Sequence, residues 1–152
     1  MADKLADSLF IRNLATVVET MGSGRTTLRQ LETFGGKFLG SYLRGVYPMG
    51  QQPLPDGSHH CVIVNCAATA EESMTKGHWI CLLRDGKDEV IYDSFGRHPS
   101  EFAPTLEHLE TTDRDPEQPI MTRGVETQWC GQACIAAGMV CKNHGLQIAK
   151  HI

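Results

Sequence analysis

Apolar residues at Phe10, Leu14, Val17 and Met21 recur three or four positions apart within residues 3–21, the spacing of one buried stripe on an amphipathic helix. The MGSGR segment that follows, residues 21–25, breaks this helix. Thr27 and Gln30 then stand at the spacing of a capping box, and Leu28, Leu31 and Phe34 give the next helix its apolar face. Gly35-Gly36 are expected to stop it.

From residue 46 the periodicity disappears. VYPMGQQPLPDGS (46–58) holds prolines and glycines that suit neither a helix nor a central strand, and it reads as an exposed loop of the kind that borders a cleft. HCVIVNC (60–66) is a short β-branched run predicting a buried strand. GHWICLL (77–83) and EVIYDSF (89–95) predict two more, joined by the turn RDGKD. Residues 96–119 are rich in Pro, Glu, Asp and Thr; a short helix is expected around Phe102 to Leu109, and TTDRDPEQP (111–119) reads as an exposed connection. Cys130 to Lys142, with Ala133, Ala136 and Ala137 and few polar side chains, predicts a helix buried around most of its circumference and ending at Asn143-His144-Gly145. The elements amount to an α+β fold, a small central β-sheet flanked by helices, in one domain over residues 1–152.

Composition narrows the function classes. With 41% hydrophobic and 21% charged residues, the chain has the balance of an ordinary globular protein rather than of a disordered one. A net charge of −4 gives no global reason to bind nucleic acid, so DNA is not an expected partner. No run approaches the roughly 18 apolar residues of a membrane span, and MADKLADSLF mixes charges where a signal peptide has an apolar core. An intracellular setting is therefore expected, with the six cysteines (61, 66, 81, 130, 134 and 141) as reduced thiols, five of them quiet core residues.

The predicted hairpin brings two of the chemically interesting residues together. With Gly86-Lys87 as a two-residue loop, Asp85 faces Asp88, Ile80 faces Asp93 and His78 faces Phe95. His78 and Asp93 then emerge on the same face as diagonal neighbours, about 7–8 Å apart at the backbone. A carboxylate that orients an imidazole prepares it to act as a general base. Cys130 stands at the first turn of the buried helix, where free backbone N–H groups and the helix dipole favour a thiolate. Gly131 leaves room beside it for a substrate carbonyl, and the Cys130 backbone N–H supplies one oxyanion donor.

In this order, GHW, YDSFG and CGQAC resemble the His–acid–Cys pattern of the adenovirus-type (adenain-like) cysteine proteases and of the related ubiquitin-like-protein proteases, which share one fold. FLGSY (38–42) and CVIVNCA (61–67) are similar to further segments of the adenain-like group, so that the resemblance covers residues 35 to 142 with gaps. It implies a cysteine endopeptidase with His78, Asp93 and Cys130 as its triad and the nucleophile at the N-terminus of a buried central helix. It further implies a protein or peptide substrate, processing of viral precursors in the host cytoplasm, nucleus or virion, and an activating peptide. It calls for no metal and no small-molecule cofactor. The family also works with DNA, against which the acidic balance of this chain argues. Where the family sets an oxyanion-hole Gln before the nucleophile, alignment of TRGVETQWCG places Arg123; Gln128 is the competing candidate. The stretch after Cys130 is shorter than the family's helical C-terminal portion, implying either a minimal version of the fold or contacts from a partner or second copy.

Other readings use the same residues. The triad would serve equally to cut isopeptide bonds of ubiquitin-like modifiers. A zinc module would draw on Cys130, Cys134, Cys141 and His144, at spacings that suit paired knuckles poorly, and a third reading keeps the fold as a non-catalytic binding protein. His59 and His60 are expected to be exposed, and Trp79 to pack beside His78 or in the core.

Overall fold

Helix α1 (Ala2–Met21) buries Ala6, Phe10, Leu14 and Val17 along one stripe, the expected face extended by one turn, while Met21 is only half-buried. The computed structural model describes residues 2–66, 78–101, 103–112 and 129–152. Helix α2 (Leu28–Leu39) opens with the expected capping box: the Thr27 hydroxyl accepts from Gln30 N–H, and the Gln30 side chain accepts from Thr27 N–H. Gly35-Gly36 do not stop it. The helix runs through them to Gly40, whose φ of 59° turns the chain. Gly35 serves packing instead, because a Cβ there would lie 2.4 Å from Leu43 Cδ2.

The sheet is mixed and five-stranded, in the order β1 (Leu43–Pro48), β2 (His60–Asn65), β3 (Trp79–Asp85), β4 (Asp88–Tyr92) and β5 (Glu110–Thr111). β1 pairs parallel with β2 and β5 parallel with β4, around an antiparallel centre. Two strands depart from expectation. β1 occupies the start of the segment read as a loop, since Pro48 sits on an edge strand, where a missing donor is tolerated. β5 takes in Thr111, and Thr112 N–H donates to Ile91 O at 3.0 Å, so the first residues of TTDRDPEQP are paired and Thr112 is buried. The remainder of that segment, residues 113–119, lies outside the described residues. In place of one helix near Phe102 to Leu109 there are two 3-10 turns, Pro99–Glu101 and Pro104–Leu106; the two prolines interrupt any continuous ladder, and Phe102 itself is outside the described residues.

Both faces of the sheet are covered, which is why its central strands read as unbroken apolar runs. Cys61, Ile63, Trp79, Cys81, Leu83 and Tyr92 pack toward the helices, whereas Val62, Val64, Ile80, Leu82 and Ile91 meet Tyr47, Met49, Cys66, Leu106 and Leu109 on the other side. Helix α3 (Cys130–His144) fills the helical side, buried at nearly every position up to Cys141, and ends at Gly145 with φ 87°. A short α4 (Leu146–Ala149) follows. Among the described residues no helix is long and apolar enough to cross a membrane.

His59 is exposed as expected, but His60 is only 2% exposed. As the first residue of β2 it pairs with Arg84, its Nδ1 lies 2.9 Å from Ser58 Oγ, and its Nε2 lies 3.3 Å from Arg84 Nη1. Burial and the nearby Arg44 and Arg84 charges lower its pKa, favouring the neutral ring.

Candidate active site

The hairpin forms in the expected register, with Asp85 opposite Asp88, Leu82 opposite Ile91 and the Gly86-Lys87 loop at its tip, where Gly86 takes φ 64°. His78 immediately precedes β3 and Asp93 immediately follows β4, so both sit at the open end of the hairpin. There the His78 Nε2 hydrogen-bonds Asp93 Oδ1. The Phe95 ring stacks on the imidazole at 4.3 Å between centroids, with planes 14° apart.

Asp93 is fully buried. Its Oδ1 also accepts from Phe95 N–H at 3.2 Å, and its Oδ2 accepts from the backbone N–H and the Nε of Arg97, each at 3.2 Å. Burial pushes the carboxyl pKa upward, but bonding and charge from His78, then the Arg97 charge and the Phe95 N–H, outweigh it and hold the pKa at about 2. The residue is an anion throughout the neutral range.

Cys130 lies on the other side of the imidazole. Burial raises its pKa, yet the adjacent His78, with backbone N–H groups of Trp79 and Gly131 directed at the sulfur, leaves it lowered. In return, burial depresses the His78 pKa, while Asp93 first and Cys130 second raise it further than burial lowers it. Nδ1 of His78 is buried without a directed hydrogen bond among the described residues. The thiol is thus a close charge partner whose aligned bond is not formed at rest, a common state of a free site before substrate tightens it. Helix α3 supports the thiolate further: no side chain caps its N-terminus and no acidic residue occupies its first turn, so the positive end of its dipole is left to the sulfur.

The other thiols are held in the opposite sense. Burial pushes Cys66 and Cys141 up to about 12, and burial lifts Cys61 and Cys134 well above the ordinary thiol range. Cys66 is half-buried rather than a core residue, and its backbone N–H donates to His78 O at 2.8 Å.

A third wall of the site comes from the MGSGR region, which the pattern of the chain marks only as a helix break. Trp129 Nε1 donates to Ser23 O at 2.8 Å, Gln132 Nε2 to Gly22 O at 3.0 Å and Gly24 O at 2.8 Å, and Trp79 Nε1 to Thr26 O at 3.2 Å. The loop is thereby fastened to the first turn of α3. Trp79 is a core aromatic with a polar tip in this network. Gly131 permits the close approach, since a Cβ there would lie 2.1 Å from Thr26 Oγ1 and 3.0 Å from Leu31 Cδ2. Gly131→Ala is expected to lower stability by about 1–3 kcal/mol through overpacking, more than the ~1 kcal/mol that alanine gains in a helix. A lower urea midpoint with an unchanged m-value would show it; an unchanged midpoint would mean that the loop yields freely.

Arg123 and Gln128 lie outside the described residues. Cys130, Cys134, Cys141 and His144 follow one another along α3 and do not converge; among the described residues no group of three or more His, Cys, Asp or Glu is disposed to hold a metal. Arg97, Phe95 as a stacking partner, Gln132 and the loop before α2 have no role in the sequence reading. Phe95 was accessible to it, because the hairpin register sets it opposite His78. Comparison with protein-family models, characterised proteins and solved structures returns no match.

Proposed function

We propose that this chain is a cysteine endopeptidase of adenain-like fold in which Cys130 is the nucleophile, His78 the general base and acid, and Asp93 the group that orients His78. One observation carries the reading: the His78 imidazole is held by Asp93 at Nε2, and the single thiol lowered in pKa lies against the rest of the ring. The Cys130 sulfur attacks a peptide carbonyl carbon, and the π electrons move to the carbonyl oxygen. As the C–N bond breaks, the imidazolium of His78 gives its proton to the departing amine. Water, deprotonated by the now neutral His78, then attacks the thioester and releases the carboxylic acid and the thiolate. Backbone N–H groups at the start of α3 support the oxyanion, with Arg123 or Gln128 as the side-chain donor. The substrate class is protein or peptide, with viral precursors as the natural candidates and an activating peptide as a partner.

The test is mass spectrometry after incubation with a peptidyl electrophile, together with a panel of Gly-rich peptides and ubiquitin-like conjugates. Modification of Cys130 alone and cleavage of the peptides are expected. Turnover of the conjugates alone would make the protein a deconjugating isopeptidase, and an unmodified Cys130 would remove the protease reading.

A further inference from the structure

Arg97 stands four residues after Asp93 and reaches back to it because the chain reverses between them. Gly96 N–H donates to Asp93 O at 3.1 Å, and Gly96 adopts φ 76°, a backbone state that favours glycine. The turn delivers two donors of one residue, the backbone N–H and Nε, to the same carboxylate oxygen at 3.2 Å, leaving the other oxygen to His78. The guanidinium also lies over the Phe95 ring, 5.3 Å from its centroid, and Phe95 in turn stacks on His78. Arg97 is 34% exposed, so this charge lies at the solvent edge of an otherwise buried site.

We infer that Arg97 is a positioning residue: it fixes the rotation of the Asp93 carboxylate toward His78 and places a permanent positive charge beside the His78–Cys130 pair. The inference rests on the cysteine-protease reading of that pair. Two donors on Oδ2 leave the carboxylate one orientation in which Oδ1 meets the imidazole. The charge acts on both reacting groups with known sign: it favours the Cys130 thiolate and disfavours the His78 imidazolium, and by engaging Asp93 it weakens that carboxylate as a partner for His78. The groups facing the pair are Asp93 and Arg97 after β4, Cys66 after β2, and Cys134 on α3. The two thiols are held neutral by their raised pKa values, which leaves Asp93 and Arg97 as the charged neighbours that set the balance among the described residues.

Removing the charge therefore moves both limbs of the activity profile to higher pH. Arg97→Met is expected to lower kcat by about tenfold or more with KM within about threefold, and to shift both limbs upward by at least about half a pH unit. Arg97→Lys, which keeps the charge and loses the fork, should lower kcat while leaving the limbs near their wild-type positions. Rates are normalised to the fraction of Cys130 titrated by the electrophile, so partial misfolding cannot imitate the shift. Arg97→Gln gives the same charge test if the Met variant does not fold. The pH profile of Cys130 alkylation by iodoacetamide provides a second readout that needs no substrate. If wild-type Cys130 alkylates no faster than the other thiols, the protease reading fails. If it alkylates fast and the limbs of the uncharged variant superimpose on those of wild type, the role of Arg97 is overturned while the protease reading stands.

Discussion

His78→Ala is expected to reduce peptide turnover by about 10⁴-fold or more and to abolish the excess alkylation rate of Cys130. Burial alone would raise the pKa of this thiol; His78 is the largest influence that reverses it. Without the imidazole, the N–H groups of Trp79 and Gly131 remain, but no group is left to take the proton on attack or return it to the leaving amine. Turnover and alkylation should therefore fall together, and separate measurement of the two checks this. Alkylation that stays fast after the ring is gone would mean that the helix N-terminus by itself creates the reactive thiolate. Fold stability should be reduced only modestly, because His78 is 12% exposed, at the rim of the core.

Asp93→Asn is expected to lower turnover by about 10²–10⁴-fold and stability at neutral pH by about 2 kcal/mol. An amide has one acceptor oxygen where the carboxylate has two, so His78 and Arg97 cannot both be satisfied. The sign of the pH effect follows from the Asp93 pKa of about 2 against an ordinary 3.8. A carboxyl with a depressed folded-state pKa contributes stability that is complete above its ordinary value and is lost as pH falls through the folded one. Wild-type melting temperature should therefore drop between about pH 4 and pH 2, and the Asn variant should show a flatter curve there. His78 acts in the opposite direction. Its raised pKa means that its share of the pair's stability is present at low pH and is lost as pH rises through the folded value. Thermal melts of both proteins across this range check the assignment, and parallel curves would show that the Asp93 charge is not linked to folding.

The legibility of the chain follows the range of the interactions involved. The capping box at Thr27 and Gln30, the buried stripe of α1 and the span of α3 depend on residues three or four apart, and periodicity reveals them. The hairpin is also local, and its two-residue loop fixes by counting alone that His78 and Asp93 share a face. Reading Gly35-Gly36 as a stop failed because the glycines answer to Leu43 from a neighbouring strand, not to the helix itself. β1 and β5 were missed because parallel pairing leaves no turn signal between partners.

By itself, then, the sequence determined the α+β elements, the hairpin register and the order His78, Asp93, Cys130, since each depends on local spacing. Tertiary structure alone decided that Gly22 to Thr26 wraps the start of α3 through Trp79, Trp129 and Gln132, that His60 is buried against Arg84, and that Arg97 shares Asp93 with His78. The loop and His60 contacts join residues far apart in the chain. The Arg97 contact needs the backbone reversal at Gly96. Neither kind leaves a period in the sequence, because what fixes them is the geometry of packed elements rather than the repeat of any one.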